Sequence, residues 1–415
     1  MIPSTSDYQV RAVHCDHLAD DETVYLALKR AVAPLAAAWD KLKSARRIAI
    51  KFNQDWPIEK QIWFEGQRRQ LVSDSVARAV LRLLREETQA DLFVADVSYH
   101  VVYDGMPVES CTTLAPVLRE FDVPYVDGTH PPYKLCRVPG GGQMFEQYGM
   151  VQDVVEADAL VSVAKMKNHS YMGVTACLKN LFGLMPTAMP SRPRHYYHHL
   201  VRMPYMLADI GRILNPALNI VDALVGQASS EWGKEEDIGR IVDMLVAGDQ
   251  VIATDACVTH LMGLDPTSDW LTEPFHRDRN ALLAAADGGF GSVNLADIDF
   301  VSEGAPQPAG TFYAMQWDDR ETVVTWRRTM AEQALYYRDH MRELISQYAG
   351  EFILLQDGEV RWHEPDGMLR VSRRQLAGSH RSHAMFFKYV DPEEAEGEHY
   401  EVYERALAHI QALGL

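Results

Sequence analysis

The most strand-like run in the chain is ADALVSVAKMK (157–167), an almost unbroken apolar stretch that ends in two lysines. Such a run predicts a buried strand. Two further apolar runs precede it, RIAIKFN (47–53) and DLFVADV (91–97), with the amphipathic SDSVARAVLRLLREE (73–87) between them. Because the order is strand, helix, strand, the pattern favours a parallel arrangement. We therefore predict an α/β fold with a mainly parallel sheet flanked by helices.

The alternation continues to about residue 304 and then changes. Up to that point we predict helices at 112–121, 175–184, 200–214 and 251–263, short apolar segments at 123–127 and 133–139, and strands at 218–224, 240–249 and 298–304. Beyond it we predict a helix at 320–347, a hairpin at 351–363 turned at Asp357-Gly358, another helix, a strand at 383–390 and an acidic final helix. This organisation predicts an α/β body over 1–304 and a small α+β domain over 305–415.

Composition excludes several classes of protein. The chain has 415 residues, is 47% hydrophobic and carries a formal net charge of −18, so bulk disorder is excluded. An acidic surface repels phosphate backbones and argues against a general nucleic-acid binder. The five cysteines are scattered without a CxxC pair, so we expect neither a disulfide framework nor an iron–sulfur cluster. The sequence shows no secretory signal and no membrane-spanning apolar run, which predicts a cytoplasmic protein without membrane contact.

Charge is distributed unevenly along the chain. Between residues 160 and 215, here called the basic island, seven bases and four histidines accompany a single acid, Asp209. The bases are Lys165, Lys167, Lys179, Arg192, Arg194, Arg202 and Arg212. The island carries +6 and leaves −24 on the other 359 residues, so we expect it to face a small anionic ligand. The alternative is that its bases form surface ion pairs worth about 0–1 kcal/mol each.

The position of three island residues favours a ligand site. Lys165, Lys167 and His169 lie at the carboxyl end of a predicted strand, where open α/β sheets bind their ligands. Their spacing would place all three on one side of a continuing strand. Lys51 and Asn53 end another predicted strand in the same way. We predict ligand or cofactor contacts for the three lysines and Asn53, and an acid–base role for His169.

Lys179 is a candidate nucleophile or covalent attachment point. Apolar Leu178, Leu181 and Phe182 surround it in the sequence, and desolvation by such neighbours lowers the pKa of a lysine. The alternative is a lysine that buries its stem and reaches solvent with its ammonium group. The adjacent Asn180 is assigned to the same ligand site.

Histidines and carboxylates supply candidate metal ligands. In RHYYHH, His198 and His199 follow His195 at i+3 and i+4, so a helix would let two imidazoles share one metal ion. A solvated turn is the alternative. Asp255, in VIATDAC, is a further candidate ligand or a residue that favours a helix N-terminus. Asp222, at the end of the predicted strand LNIVDAL, could orient a His or Lys or bind a metal, and is assigned to cofactor binding.

Two glycine-containing segments do not match nucleotide-binding motifs. GQASSEWGK (226–234) has the wrong glycine spacing for a Walker A loop, and its lysine precedes Glu235 rather than Ser or Thr. Gly140–Gly142 is not GxGxxG, so a nicotinamide Rossmann site is unsupported.

The run ADALVSVAKMKNHSYMGVTACLKNLFGLMP resembles the signature of the domain of unknown function 362 family, an apolar strand ending K-x-K-x-H followed by G-V-T and L-K-N-L-F-G. Three other segments also match in order, IKFN (50–53), IVDAL (220–224) and AGDQVIATDACVTHLMGLDP (247–266). The similarity covers most of 45–304. Many members carry a ferredoxin-like iron–sulfur module, which implies redox work, whereas this chain has no such cysteines.

A second resemblance, to the lactate racemase family, concerns spacing. His169, Lys179 and His195 are ten and then sixteen residues apart, much as a His, a Lys and a second His are in that family. The resemblance implies that Lys179 anchors a nickel-pincer nucleotide through a thioamide, His195 ligates the metal and His169 is a base acting on a 2-hydroxy acid. Lys165 or Lys167 would neutralise phosphate or carboxylate. In that family a Gly-rich segment precedes the lysine, whereas TACL (175–178) precedes Lys179 here.

Three functions are compatible with these features. The first is an enzyme, an oxidoreductase or isomerase, that binds an anionic small molecule or nucleotide-like cofactor at the basic island for proton or hydride transfer, with a divalent metal as a candidate cofactor. The second is a non-catalytic binding or assembly protein, in which the island docks an acidic partner or the chain's own acidic segment 391–404. The third, single-stranded nucleic-acid binding, is disfavoured by the charge of −18. A homo-oligomer is compatible with each.

Overall fold

The computed structural model describes residues 8–189, 191–235, 238–365 and 385–415. The strands are β1 (Tyr8–His14), β2 (Arg47–Phe52), β3 (Trp63–Phe64), β4 (Gln67–Arg68), β5 (Asp91–Asp96), β6 (Tyr125–Asp127), β7 (Tyr133–Arg137), β8 (Gln147–Val151), β9 (Ala159–His169), β10 (Gly173–Thr175), β11 (Leu218–Gln227), β12 (Gly239–Gly248), β13 (Ile298–Ser302), β14 (Phe352–Gln356), β15 (Glu359–Glu364) and β16 (Phe386–Tyr389). The helices are α1 (Asp21–Val32), α2 (Ala36–Ser44), α3 (Asp74–Glu87), α4 (Tyr99–Tyr103), α5 (Ala115–Glu120), α6 (Gln152–Val155), α7 (Cys177–Leu181), α8 (Arg194–Tyr197), α9 (Arg202–Leu214), α10 (Val251–Leu261), α11 (Ala281–Asp287), α12 (Arg320–Asp339), α13 (Met341–Tyr348) and α14 (Glu401–Ala412).

The main sheet has the strand order β13-β1-β12-β11-β9-β2-β5-β6, with β10 paired to β9. Strands β11, β9, β2, β5 and β6 are parallel to their neighbours along this row, and β13 is parallel to β1. Strand β12 is antiparallel to both β1 and β11. The predicted α/β class with a mainly parallel sheet is confirmed.

Helices cover both faces of this sheet. Successive side chains of a strand point to opposite faces, and β2 illustrates the result. Its Ile48, Ile50 and Phe52 belong to the hydrophobic core under α1 and α3, whereas Ala49 belongs to the core on the other face, with α9 and α10. Lys51 shares the parity of Ala49 and is placed on that second face.

Local sequence signals explain several element boundaries. Helix α3 begins after Ser73, whose hydroxyl accepts the Val76 N–H at 3.4 Å. The hairpin of β14 and β15 turns at Asp357 and Gly358, which have φ angles of 53° and 74°, as a two-residue hairpin turn of this kind requires. The helix predicted over 320–347 is instead two helices, because the chain leaves helical geometry at His340.

The strand order creates a switch point between β2 and β9. From β2 the chain proceeds outward to β5 and β6, and then returns to β9 on the other side of β2 before adding β11 and β12. Ligands of open α/β sheets bind in the crevice outside the carboxyl ends of the strands at such a point. The topology therefore predicts a ligand site at the residues that end β2 and β9.

Residues 305–415 contribute α12, α13, α14 and a three-stranded antiparallel sheet of order β15-β14-β16. Phe352 of β14 and Phe387 of β16 belong to the same hydrophobic cluster as Tyr196 of the body, so the domain boundary at 304 stays a prediction. The helix predicted between the hairpin and the strand at 383–390 lies outside the described residues. Within the described ranges, no helix is both long and apolar enough to span a membrane.

Candidate functional site

A cavity of about 570 Å³ lies at the carboxyl ends of β2, β5 and β9. The end of β2 contributes Lys51 and Asn53, the end of β5 contributes Asp96, and the end of β9 contributes Lys167 and His169. Since β2 and β9 flank the switch point, the cavity occupies the position that the topology favours for a ligand.

The structure divides the twelve predicted site residues into two groups. Eight line the cavity, namely Lys51, Asn53, Lys167, His169, Lys179, Asn180, His195 and His198. Four do not, namely Lys165, Asp222, His199 and Asp255. Residues from β2, β9, α7 and α8, far apart in sequence, therefore share one cavity.

Lys165 and Asp222 face each other inside the sheet. Both side chains are 0% exposed, and the Lys165 Nζ lies 3.1 Å from an Asp222 carboxylate oxygen. They are register partners on the adjacent parallel strands β9 and β11. Asp222 also accepts the Ser73 N–H at 2.8 Å, and burial lowers the pKa of Lys165. The pair fixes β9, β11 and the start of α3 to one another and does not reach the cavity.

Asp255 and His199 also have structural partners. The Asp255 carboxylate accepts the N–H groups of Cys177 at 2.9 Å and Leu178 at 2.7 Å, the first residues of α7. Burial raises the pKa of Asp255 to about 7. His199 is buried, with its ring centroid 5.8 Å from that of Phe387. Asp255 therefore caps α7 from the neighbouring helix α10, whereas the alternative drawn from the sequence concerned the N-terminus of its own helix.

The histidine cluster is not arranged by helical spacing. Helix α8 ends at Tyr197, so His198 falls outside it. His195 Nδ1 lies 2.6 Å from the Tyr103 hydroxyl, whereas the ring of His198 packs 4.8 Å from that of Tyr171. The two imidazoles line the same cavity with different neighbours.

The four predicted metal ligands do not come together as a set. In the part of the chain that the structure describes, three histidine or carboxylate ligand atoms lie within 4.8 Å of one another at Asp16, His17 and Asp243, away from the cavity. Metal binding at the histidine cluster stays a prediction.

Lys51 is held in a closed network. Its Nζ donates to the Asp96 carboxylate at 3.0 Å, to the Phe52 carbonyl at 2.6 Å and to the Asn180 side-chain oxygen at 3.2 Å. Burial raises the pKa of Asp96. A Cβ at Gly183 would lie 2.6 Å from the Lys51 Cε, so this glycine provides room for the lysine stem. With three acceptors for three donors, Lys51 holds β2, β5 and α7 together.

Lys167 and Lys179 are the cavity lysines that lack a carboxylate within ion-pair distance among the described residues. The Lys167 Nζ donates to the Gln70 carbonyl at 2.8 Å and lies 4.3 Å from the Trp232 ring. The Lys179 Nζ lies 4.6 Å from the Phe182 ring. Burial lowers the pKa of Lys167 to about 7 and that of Lys179 to about 8. An anion in the cavity would relieve the cost of burying these two ammonium groups.

His169 is oriented by the backbone. Its Nδ1 accepts the N–H of Tyr171 at 3.0 Å and that of Met172 at 3.3 Å. Burial holds the pKa of this imidazole well below its ordinary value, so the ring is neutral. Because Nδ1 accepts, the proton of the neutral ring is on Nε2, and the ring offers an N–H donor.

Glu231 is a cavity residue that the sequence analysis missed. Its carboxylate accepts the Ser170 N–H at 2.9 Å and lies 3.4 Å from His169 Nδ1. Burial raises the pKa of Glu231, but the hydrogen bonds from Ser170 favour the charged form, and the pKa lies below its ordinary value. The carboxylate is charged beside the neutral imidazole.

Arg194 is a third cation of the cavity wall, beside Lys167 and Lys179. Its guanidinium donates to the Val97 carbonyl at 3.0 Å and lies 5.4 Å from the Phe182 ring. Burial lowers its pKa, against the opposing influence of Asp55 and Asp96. Burial, with the charge of Asp96, raises the pKa of Asp55 to about 6.

Aromatic residues that the sequence analysis also missed form another wall. Trp56 and Trp232 stack with ring centroids 3.8 Å apart and an angle of 5° between their planes. Tyr99 and Tyr103 stack at 4.3 Å. Glu231 and Trp232 both belong to 226–234, a segment that includes the carboxyl end of β11 and the residues after it. Their position just after a predicted strand is the sequence signal that could have identified Glu231 and Trp232 as cavity residues.

Two other bases of the island bind the acidic C-terminal segment. Arg192 forms ion pairs of 3.0 Å with Asp391 and with Glu396. Arg202 and Glu398 are each 0% exposed and are joined at 2.7 Å. These two arginines therefore bind the chain's own acidic segment, as one version of the second predicted function expects. Lys167, Lys179 and Arg194 instead face the cavity.

The C-terminal segment also packs behind the part of the cavity wall that contains His195. The Tyr196 hydroxyl donates to Glu396 at 3.0 Å, and the His195 ring lies 5.8 Å from that of Phe387. Lys388, next to Phe387 on β16, is ion-paired with the same Glu396. The C-terminal residues thus form the second layer of the cavity wall at α8.

The fold and the cavity define an α/β protein with a cationic and aromatic site at the switch point of its sheet. The family model described as a domain of unknown function (DUF362) matches residues 48–260. The chain belongs to this family, and the resemblance noted in its sequence is confirmed.

Two individual proteins are similar to the chain. The thylakoid-associated protein sll1697 of Synechocystis sp. is 25% identical over 158 residues, which are 37% of this chain and 46% of the relative, so the match spans about half the relative's length. The lactate racemase apoprotein from Thermoanaerobacterium thermosaccharolyticum is a structural neighbour with a TM-score of 0.37 and 14% identity. That match covers 64% of this chain and 59% of the racemase.

Proposed function

We propose that the protein is an enzyme that binds a small anionic molecule in the cavity and moves a proton on it. The observation that carries the proposal is the meeting of Lys167, Lys179 and Arg194 with His169 in one cavity at the switch point. The volume of about 570 Å³ suits a small molecule or a mononucleotide rather than a polymer.

Anion binding follows from the electrostatics of the three cations. Burial lowers the pKa of Lys167, Lys179 and Arg194, so their charged forms lack the stabilisation that water would provide. A carboxylate or phosphate would supply that stabilisation through charge-assisted hydrogen bonds, at about 1.5–3 kcal/mol each.

Proton transfer follows from the mixture of protonation states. Lys167, with a pKa of about 7, is matched to accepting and releasing a proton near neutral pH. His169 offers an Nε2–H donor, while the Glu231 carboxylate lies 3.4 Å from its other nitrogen, Nδ1. Such a donor can stabilise a developing negative charge or donate a proton. Groups held in different states in one site are typical of acid–base catalysis.

Titration calorimetry with inorganic phosphate and with pyruvate tests the binding step. We expect both anions to bind the full chain, and we expect K167M to weaken binding roughly tenfold or more because it removes one charge-assisted contact. K134M is the matched control, since Lys134 is an exposed lysine paired with Glu156 at 3.0 Å. Equal affinity of K167M and the unaltered protein for both anions would contradict the proposal.

The shared cavity of His169, Lys179 and His195 supports a second, more specific candidate. A nickel-pincer nucleotide would use Lys179 for its thioamide and His195 as a metal ligand, and it would supply hydride chemistry on a 2-hydroxy acid. The three residues fit this group in that they line one cavity. Metal analysis and the intact mass of protein from cells able to make the cofactor test it. An unmodified Lys179 without stoichiometric metal excludes it.

A further inference from the structure

The ε-amino group of Lys179, a partly buried lysine, differs from those of the buried lysines. Lys51 and Lys165 face carboxylates at 3.0 and 3.1 Å, Lys167 donates to the Gln70 carbonyl at 2.8 Å, and Lys388 contacts several glutamates. Among the described residues, Lys179 has no side-chain hydrogen bond within 3.5 Å and no carboxylate within 4.0 Å. Its Nζ lies over the Phe182 ring, 4.6 Å from the ring centroid.

An amine placed in this way is suited to covalent chemistry. A lysine engaged by a carboxylate is stabilised as an ammonium ion, which has no lone pair to donate. The Lys179 amine lines the cavity beside Lys167 and Arg194, so an anion held by those two cations would lie in the same small space as the amine. Proximity of this kind converts a bimolecular attack into an effectively unimolecular one.

We infer that Lys179 forms an imine with the carbonyl carbon of a small anionic carbonyl compound, a 2-oxo acid or a phosphorylated aldehyde. The inference rests on the proposed function and deepens it by naming the substrate class and the covalent step. Burial supports it, because a pKa of about 8 for Lys179 leaves more neutral amine near neutral pH than an exposed lysine has.

The step balances within the cavity. The lone pair of the neutral Lys179 nitrogen forms a bond to the carbonyl carbon, and the carbonyl oxygen takes up a proton. The nitrogen then gives up its two protons: one replaces the proton that the oxygen took up, and the other protonates the resulting hydroxyl, so the carbon–oxygen bond breaks and the oxygen leaves as one water molecule. The product is a C=N bond between Lys179 and the substrate. His169, through its Nε2–H, and the hydrogen-bonded Tyr103 and His195 pair at 2.6 Å are the cavity groups able to exchange protons with that oxygen.

An imine would also explain how the cavity moves a proton. A protonated C=N group withdraws electrons from the adjacent carbon more strongly than a carbonyl does, which acidifies a C–H bond on that carbon. Lys167, which titrates near neutral pH, can take that proton in its neutral form while Arg194 keeps the anion in place.

Reductive trapping tests the inference. The full chain is incubated with pyruvate or with glyceraldehyde 3-phosphate in the presence of cyanoborohydride, and the product is analysed by intact mass and peptide mapping. We expect one reduced adduct per chain, on the peptide that contains Lys179, with one of the two anions. Hydroxyacetone, an uncharged carbonyl compound, should react roughly tenfold more slowly because it lacks the anionic contact. The trapped anion identifies the substrate class.

K179R and K134R are the matched variants. We expect K179R to abolish the adduct and K134R to retain it, with unchanged circular dichroism. Adducts spread over exposed lysines and equal in K179R and the unaltered protein would overturn the inference, as would an adduct on Lys167. If K179R does not fold, peptide mapping of the adduct on the unaltered protein still shows whether Lys179 is the modified residue.

The outcome separates this inference from the proposed function. Phosphate that binds by calorimetry, with no adduct from either carbonyl anion, would overturn the imine and leave the anion-binding function intact. Absence of both phosphate binding and adduct would overturn both. A Lys179 that is already modified in the isolated protein would overturn the imine in favour of a resident cofactor.

Discussion

Replacing Lys165 by methionine should destabilise the protein strongly without removing a ligand contact. The substitution K165M leaves Asp222 charged, 0% exposed and without the ammonium group that lies 3.1 Å away. Breaking a buried pair from one side costs about 3–5 kcal/mol. We expect a loss of this size in the free energy of unfolding, measured by urea denaturation followed by circular dichroism, with phosphate affinity unchanged in the folded fraction.

A double-mutant cycle supplies the control for K165M. In K165M/D222N no buried charge is left, and the asparagine retains an oxygen that can accept the Ser73 N–H, now at 2.8 Å from Asp222. The double variant should therefore recover roughly 1–3 kcal/mol of the loss. Stability close to that of the unaltered protein in K165M, together with lost phosphate binding, would refute the reasoning and restore Lys165 to the ligand site.

Three further predictions concern the cavity and its support. Anion affinity should be highest below pH 7 and fall as the pH rises through 7 and 8. The reason is that Lys167 and Lys179, with pKa values of about 7 and 8, lose their charge over this range. Calorimetry at several pH values measures the affinity, and an affinity that rises with pH would contradict the prediction. R202M should cost unfolding free energy because it removes one of the two cations paired with buried Glu398, but less than the about 3–5 kcal/mol of an unpaired buried charge, because Lys388 stays at 3.0 Å. It should also speed hydrogen exchange of the C-terminal acidic segment, and slow exchange there would argue against the pairing. W56A should remove about 0.5–1.5 kcal/mol of stacking and shift the tryptophan emission to longer wavelength, whereas an unshifted spectrum would indicate that the partner ring was already exposed.

Strand-end position was the informative part of the sequence. It predicted that Lys51, Asn53, Lys167 and His169 would meet, because carboxyl ends of parallel strands share one edge of a sheet. The chain order of β2, β5 and β9 was readable from unbroken apolar runs, whose length and flanking helices leave little ambiguity. The first helix was missed although Asp20 caps its Thr23 N–H at 2.8 Å, a signal that the sequence displays.

Strand adjacency was the part that sequence could not supply. Lys165 and Lys167 have the same local pattern, and only the register of β9 beside β11 places Asp222 opposite the first of them. Glu231 and Trp232 were passed over because their segment was tested for one phosphate-binding motif rather than for its place after a parallel strand. Predicting their contacts requires knowing that β11 lies next to β9.

The ion pair of Arg202 with Glu398 spans 196 residues of sequence. During synthesis at about 5–20 residues per second, the arginine therefore waits roughly 10–40 s before its carboxylate partner is made. Until then the nascent chain holds an unneutralised guanidinium behind the cavity wall, and the final stretch of translation completes a layer begun near its midpoint. The contacts behind the cavity wall at α8 are therefore among the last that the growing chain can form.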